Sequence, residues 1–167
     1  MHVVAFNGSP RKNGNTARLV RHCLDTLESE GISTEMVQVG GTNIRGCCSC
    51  LSCRKKAVEV CAITSDPFNE WIEKMKSAEG IILASPVYMF GTTPEMKALI
   101  DRASFIARGR VRRGEQGSMF YRKVGGAISA VRRAGAIQAL QTMISMFAVT
   151  QMVVPMSNYW TFGMGEA

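Results

Sequence analysis

Residues Gly80-Ile81-Ile82-Leu83-Ala84-Ser85 form a short, continuously apolar run. A strand with one wet face alternates polar and apolar side chains, whereas a strand buried on both faces does not. Burial on both faces is the condition of a parallel sheet covered by helices. The rest of the chain supplies the units such a sheet needs. Residues 2–6 (His-Val-Val-Ala-Phe) make a β-rich run ending in the turn Asn7-Gly8-Ser9-Pro10. From about Thr16 to Gly31, Val20, Cys23, Leu24 and Leu27 recur at helical spacing. Residues 32–39 alternate as a second strand, and Asp66-Pro67 opens a helix carrying Trp71, Ile72 and Met75. Thr93-Pro94 opens another, with Met96, Leu99, Ile100 and Ala103 on one face. Val124–Val131 reads as a strand of small residues, Ile137 to Phe147 as a helix, and Met152-Val153-Val154-Pro155 as a fifth strand.

This alternation predicts one α/β domain over residues 1–167, with parallel strands, helices on both faces and a cysteine-rich loop at about 40–65. A length of 167 residues, 46% of them apolar, suits a single core. Only twelve residues follow Pro155, so a closing helix is expected to be missing or very short. The bare flank this leaves predicts a homodimer or homotetramer. No apolar run is long enough to span a membrane, and the start lacks the sections of a signal peptide, so a cytoplasmic chain is expected.

The net charge of +7 invites a nucleic-acid partner, but its location argues otherwise. Through Asp101 there are 11 basic and 11 acidic residues; beyond it come nine basic and two acidic. The excess therefore lies in the last third, where scattered arginines lack the interleaved aromatics of a nucleic-acid groove. No nucleic-acid partner is expected. Arg132-Arg133, after the fourth strand, are better placed to attract the phosphates of a nucleotide or an acidic redox protein.

Gly8-Ser9-Pro10-Arg11-Lys12-Asn13-Gly14-Asn15-Thr16 joins the first strand to the first helix. Backbone N–H groups, the helix dipole, two hydroxyls and two cations make this turn an anion cradle. It is not a Walker A loop: five residues separate its glycines, and Asn15 rather than lysine follows the second. The exposed run Tyr88-Met89-Phe90 after the third strand suits a flat aromatic ring or a neighbouring subunit. Neither His2 nor His22 belongs to a nucleophile–base constellation.

Residues 3–16 resemble the phosphate loop of the flavodoxin-like NAD(P)H-dependent FMN reductases, a strand followed by G-S-P-R-x-x-G-N-T. Ser85 to Pro94 resembles their second flavin loop, S-P-x-Y-x-x-x-x-P, and leads into Leu99-Ile100-Asp101-Arg102. The resemblance implies a five-stranded parallel sheet in the order 2-1-3-4-5. It also implies FMN, its phosphate held by Ser9, Arg11, Asn15 and Thr16 and its ring lined by Pro86, Val87, Tyr88, Met89 and Phe90. Ser129 and its neighbours would form a third loop.

Four of the six cysteines, Cys47, Cys48, Cys50 and Cys53, fall within seven residues, and Cys61 follows. Such spacing in a chain of this size favours metal, cluster or redox chemistry over a disulfide framework. Cys47-x2-Cys50-x2-Cys53-x7-Cys61 resembles the motif of the iron–sulfur flavoproteins. That resemblance implies a [4Fe–4S] cluster on Cys47, Cys50, Cys53 and Cys61, with Cys48 as an alternative to Cys47. Zinc on four thiolates and a chain without metal remain open. The function implied is an FMN-dependent oxidoreductase moving electrons between NAD(P)H or ferredoxin and a small acceptor. A plain FMN or quinone reductase without a cluster, and a non-enzymatic carrier like flavodoxin, are the alternatives.

Overall fold

A computed structural model describes residues 1–156 and 162–165. The strands are β1 (His2–Asn7), β2 (Ser33–Gln38), β3 (Gly80–Pro86), β4 (Val124–Val131) and β5 (Phe162–Met164). The helices are α1 (Asn15–Ser29), α2 (Ser52–Lys55), α3 (Phe68–Ser77), α4 (Pro94–Ala107), α5 (Gly109–Arg112) and α6 (Ala136–Val149). All five strands are parallel and ordered 2-1-3-4-5, as the resemblance implied. β3 lies at the centre between β1 and β4, and its first six residues are buried. That central position is why it carries no polar face.

The helix boundaries follow local chemistry. Asp66 Oδ1 accepts the Phe68 N–H at 3.2 Å, so the carboxylate before Pro67 satisfies a donor at the start of α3. Thr93 Oγ1 accepts the Met96 N–H at 3.4 Å, with Pro94 at the first position of α4. The two faces of the sheet are covered unequally. The larger core packs Trp71, Ile72 and Met75 of α3, Leu99 and Ala103 of α4, and Leu140 and Phe147 of α6 against one face. Val20 and Leu24 of α1 pack on Ala5, Ile82 and Ala84 of the other. Among the described residues α1 is the only helix on that second face. The small residues of β4 have a packing reason: a Cβ on Gly125 would come within 2.7 Å of the Phe147 ring.

The fifth strand requires a correction. Met152–Pro155 does not form it; Val153 makes a single bridge to Val124, and Phe162–Met164 pair with Ser129–Val131. Val124, Val153, Phe162 and Met164 are exposed along this edge.

Candidate functional site: a cleft and a cysteine pocket

A cleft of about 320 Å³ opens at the carboxyl ends of β1, β3 and β4. Open parallel sheets bind their ligands at such strand ends. Its walls are the turn after β1, residues 86–88 after β3, and Ala130, Val131 and Arg132 at the end of β4.

The first turn is tied down from three sides. Gly8 N–H donates to Ala84 O at 2.7 Å, and Thr93 Oγ1 donates to Gly8 O at 2.8 Å. From β2, Gln38 Nε2 donates to Ser9 O and to Gly40 O at 2.6 and 2.7 Å. Asn7 supports Ser9 by accepting its N–H at 3.1 Å, while Arg11 N–H donates to Ser9 Oγ at 3.2 Å. Beyond this turn α1 begins at Asn15, after Gly14, with no side-chain cap and no acidic residue in its first turn. A 15-residue helix thus presents its positive end to the cleft without a competing carboxylate. Ser9, Arg11, Asn15 and Thr16 all line the cleft, and their chemistry fits a phosphate.

The second wall is shaped by strain. Tyr88 and Gly91 exchange two backbone hydrogen bonds of 2.9 Å, and Met89 and Phe90 between them have φ of 43° and 62°. Non-glycine residues hold such angles only where their surroundings impose them, and this concentrates at binding sites. Pro86, Val87 and Tyr88 line the cleft. Met89, 93% exposed, and Phe90 stand outside it on the rim. Gly135, at φ 94° before α6, lets the third wall approach the second: a Cβ there would sit 2.8 Å from Val87 and 2.9 Å from Phe90. Ser129 is not in a loop. It lies within β4, fully buried, and the cleft is lined instead by the three residues that follow it. Strand pairing to Ser85 and Phe162 is what places it there. Sequence reasoning passed over Asn7, Gln38 and Thr93 as site residues. Thr93 carried half a signal: its place before Pro94 marks it as the α4 cap, while its bond to Gly8 leaves no trace in the sequence.

Cys47, Cys48, Cys50, Cys53 and Cys61 line one pocket beside Arg102 and Phe105 of α4. The first three are exposed; Cys53 and Cys61 are half-buried and pack against the main core. Ser49 and Leu51 have φ of 54° and 59°, and α2 follows directly. The Ser52 N–H at its start is the main influence drawing the Cys50 thiol below its ordinary value, helped by Cys48 and Lys55. Burial pushes the Cys53 thiol up against the Arg54 N–H, and the neighbouring thiols add to the rise.

The loop is anchored on both sides of these cysteines. Arg102 Nη1 donates to Asp66 Oδ2 at 2.6 Å and to Arg45 O at 3.0 Å, and Nη2 donates to Ile63 O at 3.2 Å. Asp66 Oδ2 also accepts the Arg45 N–H. Burial raises Asp66, but Arg102 and two backbone N–H groups outweigh it, so its carboxyl lies below the ordinary value. Asn69 brackets Cys61, accepting its N–H at 2.8 Å and donating to its carbonyl at 3.0 Å.

Among the described residues, no three His, Cys, Asp or Glu side chains stand close enough together to hold a metal ion. The donor set nevertheless fits a thiophilic metal or cluster in kind. Five thiols share one pocket, and the buried Nε–H of Arg102 in its wall has no hydrogen-bond partner among the described residues. An unsatisfied buried donor fits the negative charge that bound thiolates bring.

Comparison with known proteins identifies the family. A family model described as NADPH-dependent FMN reductase matches residues 1–167. An iron–sulfur flavoprotein from Methanocaldococcus jannaschii is 35% identical over 174 residues, covering all of this chain and 84% of its own length. Another from Methanosarcina thermophila is 30% identical, covering 95% of this chain and 78% of its own. In structure the chain is similar to an NADH:FMN oxidoreductase in apo form, with TM-score 0.64, 16% identity and coverage of 96% and 75%. It is likewise similar to an archaeal flavodoxin, with TM-score 0.63, 12% identity and coverage of 99% and 85%, a likeness of fold alone. The chain belongs to the NADPH-dependent FMN reductase family of FMN-dependent oxidoreductases, and its curated relatives are iron–sulfur flavoproteins.

Proposed function

We propose that the chain is an iron–sulfur flavoprotein that moves electrons between NAD(P)H or ferredoxin and a small acceptor. The observation that carries the reading is the pairing of an anion cradle at the start of α1 with a five-cysteine pocket beside α4. Ser9, Arg11, Asn15 and Thr16 would hold the FMN phosphate, with the uncapped helix end supplying its dipole. Pro86, Val87 and Tyr88 would lie against the ring, with Met89 and Phe90 at its exposed rim. Cys47, Cys50, Cys53 and Cys61 would hold a [4Fe–4S] cluster. FMN supplies hydride and single-electron chemistry, and a cluster supplies single-electron transfer.

The protein's own part is to bind, orient and steer. Thr93, Gln38 and Asn7 fix the first turn before any ligand arrives. Arg132 lines the cleft and would attract the phosphates of a nicotinamide donor or the face of an acidic redox protein. The exposed apolar edge at Val124, Val153, Phe162 and Met164 is the surface a homodimer or homotetramer would cover.

The test is the visible spectrum of protein purified without oxygen, with iron, sulfide and flavin analysis. Flavin bands, a broad brown shoulder and about four irons per chain are expected. Flavin without iron leaves a plain FMN reductase, and absence of flavin overturns the reading. Steady-state NAD(P)H oxidation separates a reductase from a carrier.

A further inference from the structure

Arg102 is a bulky, charged side chain in a place that ordinarily takes an apolar one. Its side chain is 1% exposed, and the Phe68 ring lies under the guanidinium at 4.0 Å. Its charge is answered by Asp66, and its terminal nitrogens are engaged by Asp66, Arg45 and Ile63. One nitrogen has no partner among the described residues: Nε, whose N–H is buried. A buried donor left without its hydrogen bond is unfavourable, so its persistence calls for a group that completes it.

Arg102 forms part of the wall of the cysteine pocket, together with Cys61. Burial works against the Arg102 charge, and Asp66 together with the neighbouring Cys61 side chain outweighs it, while Nε itself has no hydrogen-bond partner among the described residues. A neutral thiol is a weak acceptor, whereas a metal-bound thiolate carries charge and accepts well. Cys61 is in turn held at its backbone by Asn69, which keeps this cysteine in place while Cys47, Cys48 and Cys50 remain exposed.

We infer that Arg102 is a positioning residue for the cysteine centre: its Nε–H donates to the Cys61 thiolate once a thiophilic metal or cluster is bound. Its other nitrogens meanwhile hold both ends of the loop. This rests on the proposed use of the pocket, and deepens it by naming the side chain that orients one ligand. Outer partners of metal ligands fix ligand orientation, and their loss typically lowers metal affinity about 10–100-fold.

The test uses the flavin-loaded full chain with cadmium as the probe. Loading with 113Cd is expected to shift the Arg102 Nε–H resonance and split it by coupling through the Cys61 sulfur. The splitting should vanish with a spin-silent cadmium isotope. R102K, which keeps a charge for Asp66 but removes this donor, is expected to lower cadmium affinity about tenfold or more. In a C61S background R102K should lower it no further. An unmoved Nε–H resonance on loading, or an R102K effect that persists undiminished in C61S, overturns the assignment; the second outcome marks a merely structural arginine. The NMR measurement needs no variant, so it decides the matter even where R102K does not fold. Failure to take up iron and sulfide, with cadmium coupling present, removes the cluster and leaves Arg102 in its role. Normal iron without coupling does the reverse.

Discussion

The cleft at the strand ends and the cysteine pocket beside α4 are built on different plans. The turn after β1 is fixed by four neighbours outside it, Ala84, Thr93, Gln38 and Asn7, so its shape is set before anything binds. The cysteine loop is fixed at its ends, by Arg102 and Asp66, and at Cys61, by Asn69. Its first cysteines lie on exposed backbone with left-handed turns at Ser49 and Leu51. One site is preorganised by the fold. The other has a prepared half and an open half, which fits a centre whose binding energy completes its own structure.

The largest test of this contrast is to remove one thiol. Replacing Cys61 with serine should drop iron from about four per chain to below one, while FMN content is unchanged. Loss of FMN along with iron would break the separation between the two sites. Next in size is the anchor between Asp66 and Arg102, whose side chains are each 1% exposed. D66N leaves a buried guanidinium without its anion and should cost roughly 3–5 kcal/mol in denaturant unfolding. The pH dependence follows. Because Asp66 is lowered from the ordinary carboxylate value in the folded chain, its contribution is complete above that value. It is lost as the pH falls through the lowered one. Wild type should lose this stability in acid, and D66N should show a flatter curve there. The smallest is T93V, which removes the α4 cap and the bond to Gly8 O. A cost of about 1–2 kcal/mol is expected, with FMN affinity falling in equilibrium titration and cysteine reactivity unchanged.

The cleft was more legible in the sequence than the pocket, for a physical reason. β1, β3 and β4 and the helices that follow them are local: apolar runs, Thr93-Pro94 and the glycine turn announce themselves within ten residues. The cysteine spacing was equally plain. What holds the loop was not, because Arg102 and Asp66 are 36 residues apart, on a helix and in a loop. No periodicity relates them. Thr93 to Gly8 spans 85 residues and was hidden in the same way. α2 and α5, four residues each, are too short to leave a helical pattern. β5 failed from the opposite cause: Met152–Pro155 has the composition of a strand, while the paired piece Phe162-Gly163-Met164 is short and contains glycine.

α4 starts at Thr93, which braces the first turn, and eight residues after Pro94 it presents Arg102 to the cysteines. Those eight residues advance about 12 Å along the axis. A hydrogen-bonded rod neither stretches nor shortens, so the spacing of the two sites belongs to the backbone and not to whatever occupies them. Exchanging whatever the two sites hold would not change the span between Thr93 and Arg102. A single residue inserted in α4 would lengthen that span by only about 1.5 Å, yet swing Arg102 about 100° around the helix. The helix measures distance loosely and direction strictly.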